Sequence, residues 1–375
     1  MNFPSVLYIT VKTQVRRLKY LSISLKYLSH EGLQKQILNE FLLNWSKSNH
    51  ACFEEYISTS GEITLPEGKA ASNSLKAYYH AFKEFNLIIE QGNFVLPTKK
   101  GEVLIILLQY LSGPQPSKEI NTYTLNLIEK SYFLPVLIEA DYDIILSVLQ
   151  LVDNYPNQRL DSYLSYFPTF YLKRLESKLD KGEGIDVSLV LETTKRVSAW
   201  RSPKRYSEEL VPPRLNWLID LDLINLNAGA GTYSLTAKGR YLYERIASSQ
   251  FERDNFVFDQ DFWSSSVISI IGLIYFQENN LRLWENLGEF EREKCTHEAL
   301  SIASKFFFVF GIPRMPAKST ILLTCLYLLN KHSISANFIE IINWIGQSRN
   351  LNGKVYGYRK AAREGEEYII ITNEQ

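Results

Sequence analysis

The chain is poor in the features that most often announce a function. Its 375 residues include only 3 cysteines, Cys52, Cys295 and Cys325, with neither paired spacing nor a metal-ligand rhythm. A disulfide framework is therefore not suggested, and a reducing cytoplasm is the simplest setting. No uninterrupted apolar run reaches the roughly 18 residues that mark a membrane span. The N-terminus, MNFPSVLYITVKTQVRRLKYL, places its apolar stretch before its basic residues, the reverse of a signal peptide. Net charge is also missing: 41 Lys+Arg balance 41 Asp+Glu, which argues against a protein that coats nucleic acid with its whole surface.

Catalytic signatures are equally scarce. The 5 histidines never pair at metal spacing. No phosphate-binding loop, dinucleotide glycine pattern or nucleophile elbow occurs. Cys295, His297 and Glu298 lie close together in CTHE, but on a helix they point different ways and no second cluster joins them. The acid-rich IEADYD (138–143) places Glu139, Asp141 and Asp143 in what reads as a loop between helices. A metal-dependent nuclease would add a lysine-bearing strand, which is absent. The expectation is a non-enzyme without metal or cofactor.

What is present is a core and a repeated phrase. Hydrophobic residues make up 45% and aromatics 13%, and the length suggests two or three domains. NLIIEQGNFVLPTKKGEVLIILLQ (86–109) and DLINLNAGAGTYSLTAKGRYLYERI (222–246) share one order. Each runs from an apolar Leu-Ile through a polar turn to an aromatic-x-Leu, then Thr-x-Lys-Gly and a second apolar run. Residues 87–97 and 223–236 are expected to be antiparallel hairpins. Phe94 and Leu96, like Tyr233 and Leu235, are expected to alternate inward. Thr98 and Thr236 are placed to cap the following helix, and Gly101 and Gly239 to let it approach closely.

Helices surround each hairpin. Upstream of the first, Leu33, Ile37, Phe41 and Trp45 fall at four-residue spacing over 33–47. ACFEEYIS reads as a short helix, SGEITLPEGKAAS as a loop, and 72–88 as a third helix capped by Ser72 or Ser74. Before the second hairpin, VPPRLNWLIDLDLI reads as a helix starting at the proline pair, with Pro213 in its first turn.

This order of helices, two-stranded wing and exit helix resembles the winged-helix domain, a helix-turn-helix variant. PRLNWLIDLDLI…YSLTAKG is similar to that family's R-x-x-W-L-x-x-L-G-L-I…Y-x-L-T-x-x-G, departing at Asp222, where glycine is common. Two unrelated helix–hairpin–helix segments converging on one pattern is the competing explanation. The two copies are too far apart for a solenoid, so domain duplication is expected. KVYGYRKA, REGE and EYIIIT form a terminal hairpin, and a third wing there is left open.

The expected fold is therefore mostly α with small β-hairpins, as tandem winged-helix modules joined by helical connectors. Residues 1–112 hold the first module, 118–180 a connector, 181–248 the second module, 250–315 a helical segment, and 316–375 a helical pair with a basic hairpin. GPQPS (113–117) and DKGEG (180–184) are the linker candidates.

The resemblance implies binding of double-stranded DNA, with the third helix in the major groove and the wing on backbone or minor groove. Candidate contacts in the first module are Lys69, Asn73, Lys76, Lys99 and Lys100. In the second they are Lys195, Arg196, Arg201, Lys204 and Arg205 before the third helix, with Arg214 and Asn216 on it. The terminal hairpin adds Lys354, Arg359, Lys360 and Arg363. Trp200 and Tyr206 interleave with the cations of AWRSPKRY, a mixture suited to backbone contact and stacking. Such runs are also what ordinary solvated faces look like.

Winged helices also serve as protein-docking modules, notably in tandem subunits that bind kleisin partners in chromosome-organising complexes. A near-neutral chain with an uncharged wing, LNAGAGTYSL, and aromatics such as Trp284, Phe306, Phe307 and Phe308 fits that alternative, in which the partners are other protein subunits. The Lys-, Asn- and Ile-rich composition suggests an AT-rich bacterial source. With no effector site or sensor domain, a multi-gene system such as phage defence or genome maintenance is the expected setting.

Overall fold

A computed structural model describes residues 15, 17–48, 69–112, 123–181, 187–247, 260–276, 280–308, 313–347, 349–351, 353–360 and 367–373. The protein is mostly helical with small antiparallel sheets, and the described residues form thirteen α-helices. The segments ACFEEYIS and GPQPS, most of SGEITLPEGKAAS and residues 182–184 of DKGEG lie outside the described residues. No helix among the described residues is long and apolar enough to cross a membrane. The chain divides into a larger unit, Asn2–Thr98 with Pro114–Val257, and a smaller one, Lys99–Gly113 with Phe258–Gln375.

The larger unit begins with α1 (Leu18–Leu28), β1 (Leu33–Gln34), α2 (Lys35–Ser48), α3 (Lys69–Glu84), β2 (Ile88–Gln91) and β3 (Phe94–Pro97). The chain then passes into the smaller unit as α4 (Lys99–Leu111) and returns as α5 (Leu127–Asn154), β4 (Gln158–Arg159), α6 (Leu160–Lys181), α7 (Val187–Ser198), α8 (Pro203–Asp220), β5 (Ile224–Asn227), β6 (Thr232–Leu235) and α9 (Ala237–Ile246). Both expected hairpins are present, with Ile88 opposite Pro97 and Ile224 opposite Leu235. Each gains a third strand: β1 pairs with β3 and β4 with β6, giving sheet orders β1-β3-β2 and β4-β6-β5. Leu33 thus starts a strand rather than a helix, and β4 comes from the segment read as a connector.

Local chemistry explains the repeated phrase. Helix α3 ends with Asn86 at φ +54° and α8 with Asp222 at φ +58°, both left-handed. Short polar side chains tolerate that region better than other non-glycine residues do. The Leu87 N–H donates to the Phe82 carbonyl and the Leu223 N–H to the Leu218 carbonyl, each at 2.8 Å. These are the six-to-one bonds that close a Schellman helix end. The turn at Asp222 is therefore well formed without glycine. The Thr98 hydroxyl donates to the Asn86 carbonyl at 2.6 Å, and the Thr236 hydroxyl to the Asp222 carbonyl at 2.7 Å. Thr236 also caps α9 by accepting from the Gly239 N–H at 2.9 Å. A Cβ on Gly239 would lie 1.9 Å from the Leu223 carbonyl oxygen, so only glycine lets α9 pass this close.

Several sequence expectations need correction. Ser72 and Ser74 sit inside α3, which is already helical at Lys69. Helix α8 starts at Pro203, not at the Pro212–Pro213 pair, which lies within it. Pro203 occupies the first turn, where a missing N–H costs nothing. The IEADYD segment is not a loop: it belongs to α5, which kinks at Asp141 (φ −146°, ψ 36°). In β3 the inward residues are Val95 and Pro97, while Phe94 is exposed, so the alternation is one residue out of phase with the expectation.

The smaller unit packs α4 with α10 (Gln260–Tyr275), α11 (Glu289–Phe307), α12 (Ala317–His332) and α13 (Phe338–Gly346). Its principal sheet takes β8 (Arg314–Pro316), β10 (Arg349–Leu351), β11 (Lys354–Arg359) and β12 (Tyr368–Asn373) in the order β10-β11-β12-β8. A parallel pair joins β7 (Arg282–Leu283) to β9 (Ile334–Ser335). Here too a short strand, β8, runs straight into a helix and pairs with the hairpin's return strand, as β1 and β4 do. Of the aromatics named for a protein-docking surface, Trp284 and Phe307 are buried in the core of this unit, while Phe308 is exposed.

Candidate nucleic-acid interface

Among the described residues, five of the candidate cations gather where α7 hands over to α8. Lys195 and Arg196 occupy the last turn of α7, Arg201 the connecting turn, and Lys204 and Arg205 the first turn of α8; all five are exposed. Val190, Thr193 and Val197 fix the buried side of α7. Trp200 is buried and stacks on Tyr206, with ring centroids 4.9 Å apart and planes 12° from parallel. The indole pins the turn, so it is not free to stack on a base as expected. The Ser207 hydroxyl donates to the Pro203 carbonyl at 3.0 Å, tightening the first turn of α8.

Electrostatics favour an anion at this corner. Arg196 meets Glu192 at 3.4 Å and Lys204 meets Asp161 at 3.1 Å, both pairs well exposed. Such pairs are weak and exchange readily with other partners. Lys195, Arg201 and Arg205 have no ion-pair partner among the described residues. The Ser202 side chain makes no capping bond, so the positive end of the α8 dipole adds to the cationic field. Glu208 and Glu209 are exposed one turn further along, which limits the attractive region to the start of the helix.

Beyond that start α8 turns inward. Leu210, Val211, Leu215, Trp217 and Leu218 are buried, and Asn216 is half-buried. Arg214, a candidate contact on this helix, does not reach outward. Its guanidinium is buried, its Nε lies 2.6 Å from Asp141 Oδ2, and it stands over the Trp217 ring at 5.0 Å.

Asp141 and Asp143 of IEADYD are likewise held by cations. Asp143 meets Lys178 Nζ at 2.6 Å and Arg174 Nε at 3.1 Å. Burial opposes its charge, but Lys178 and Arg174 hold its pKa below the ordinary carboxylate value. On α11, His297 lies 3.3 Å from the Ser301 hydroxyl, and Glu298 turns toward Lys331 and His332. Cys295 is buried. No group of three or more His, Cys, Asp or Glu that could hold a metal occurs among the described residues.

The other candidates are less concentrated. Lys69 and Asn73 lie in the first turns of α3, with side chains outside the described set, and Lys76 is exposed further along. Lys99 and Lys100 are half-buried at the start of α4, where Lys99 pairs with Glu102 at 2.9 Å. Lys354 is half-buried in β11, Arg359 and Lys360 are exposed at its end, and Arg363 lies outside the described residues. Sequence reasoning missed the outward side of the first hairpin, where Ile89 and Phe94 are exposed. Alternation counted from the buried Ile88 carries that signal. Compared with protein families, curated proteins and solved structures, the chain matches none.

Proposed function

We propose that this protein binds double-stranded DNA through tandem winged-helix modules, with the α7–α8 corner of the second module as its main contact. The observation that carries this reading is the gathering of Lys195, Arg196, Arg201, Lys204 and Arg205 around one helix–turn–helix corner whose exposed face is the start of α8. In helix-turn-helix proteins the N-terminal residues of the second helix meet base edges, while flanking cations neutralise phosphates. The hairpins β2-β3 and β5-β6, each following a helical run and joined by the short strand that opens that run, support the winged-helix assignment. So does the shared order of β8, α12, α13, β11 and β12 in the smaller unit. No catalysis is part of this role, and other subunits of a bacterial multi-gene system would supply it.

One observation favours docking on a protein subunit instead. The second wing's tip, residues 228–231, is exposed and uncharged. Fluorescence anisotropy of a labelled duplex separates the two readings. Saturable binding at low salt is expected; no binding there would assign the modules to protein partners.

A further inference from the structure

Helix α8 carries different chemistry on its two sides. Ser207, Leu210, Val211, Arg214 and Leu218 mark the side that packs inward. At about 3.6 residues per turn, positions 205, 209, 212 and 216 fall together on the opposite side. Arg205 and Glu209 are exposed there, while Pro212 and Asn216 are half-buried. The outward row therefore begins with a guanidinium and a carboxylate. Both match base edges in the major groove: arginine pairs with guanine O6 and N7, and a carboxylate accepts from the cytosine N4 amino group.

Glu209 is the informative member of the row. A carboxylate on the outward side of a cationic corner is repelled by phosphate, so it weakens duplex binding unless a donor meets it. Nothing within the described residues supplies that donor. At this corner Arg196 pairs with Glu192 and Lys204 with Asp161, yet Arg205 and Glu209, one turn apart, form no ion pair with each other or with another described residue. The cations suited to phosphate lie to the sides. Lys204 faces α6 through Asp161, and Arg201 stands in the turn before the helix. Along the axis Arg205 and Glu209 are separated by about 6 Å, close to two base-pair steps of about 3.4 Å. Glu208 is exposed as well, but it lies about a quarter turn away from the row.

We propose that Arg205 and Glu209 determine the sequence preference of this module, Arg205 reading a guanine and Glu209 a cytosine in the major groove while the flanking cations hold phosphates. The inference rests on the DNA-binding reading and deepens it, from binding to selectivity. Glu209 lowers affinity for duplexes in general and regains it only where a cytosine amino group faces it. Because α8 turns inward from Leu210, the bases read lie within a short stretch.

The test uses the full chain to select from a pool of duplexes with a randomised centre, then measures affinity for an enriched duplex and a scrambled one. The parent should enrich a guanine and a nearby cytosine. It should bind the enriched duplex at least about fivefold more tightly than one in which that cytosine is replaced. Glu209→Gln should change the cytosine to adenine, because a carboxamide pairs with adenine N6 and N7. It should also bind the scrambled duplex more tightly, since a repelling charge is lost. Glu208→Gln removes the same charge a quarter turn away, so it should share the second effect and keep the cytosine. Both side chains are exposed, so the fold should be retained. Saturable binding with no enriched sequence, or cytosine retained by Glu209→Gln, overturns the base reading and leaves DNA binding standing. Absence of duplex binding at low salt overturns the DNA-binding reading, and this inference with it.

Discussion

Arg214 and Asp141, 73 positions apart in sequence, meet at 2.6 Å with both side chains fully buried. The pair ties the middle of α8 to the kink of α5, so the helix proposed to face DNA is oriented from behind by a charge that never reaches solvent. Removing one partner takes from the other its buried counter-charge. Arg214→Ala should cost about 3–5 kcal/mol, the usual penalty for breaking a buried pair. Replacing both, as Asp141→Leu with Arg214→Met, should recover most of that loss. Urea unfolding of the three proteins checks this. The double variant should also bind DNA with the parent's salt dependence, since Arg214 makes no outward contact.

A second buried cluster sets a pH dependence. The pKa of Asp143 is depressed in the folded protein by Lys178 and Arg174. Its stabilising contribution is therefore complete above the unfolded-state value of about 4 and is lost as pH falls through the folded value. Unfolding free energy should decline on acidification below about pH 4. Asp143→Asn should be less stable near neutrality and show a shallower decline. Equal acid slopes in parent and variant would show that Asp143 does not contribute.

How much of this was legible differs from element to element. The hairpins were, because the left-handed position, the returning threonine and the packing glycine each demand a residue type at a fixed offset. Strands β1, β4 and β8 were not: two or three residues carry no alternation, and their pairing is decided by partners far along the chain. The basic run 195–205 was legible as charge, but its place on two helices depended on Pro203 beginning α8 in the middle of it. Arg214 was misplaced because residue type alone marks arginine as a surface group. Only the fold brings Asp141 opposite it.

Gly239→Ala isolates the packing half of the repeated phrase. The added methyl would overlap the Leu223 carbonyl, which is backbone and cannot rotate away. A loss of about 1–3 kcal/mol is expected, typical of overpacking. A thermal melt showing an unchanged midpoint would contradict the close approach of α9.

Asp141 and Asp143 are committed to Arg214, Lys178 and Arg174, which leaves them poor ligands for a divalent cation. The purified protein with Mg²⁺ or Mn²⁺ should not cleave DNA, RNA or nucleotides. Metal-dependent cleavage that co-elutes with the protein through successive columns would contradict this.

The most direct test of DNA binding at the α7–α8 corner is the salt dependence of duplex affinity in the parent and in a triple variant, Arg201→Ala, Lys204→Ala and Arg205→Ala. These side chains are exposed, so the fold should be retained. Each phosphate contact contributes a slope of about 0.9 in log affinity against log salt. The variant's slope should be shallower by about 2–3, with weaker binding at every salt concentration. Equal slopes in the two proteins would contradict the assignment of this corner to DNA.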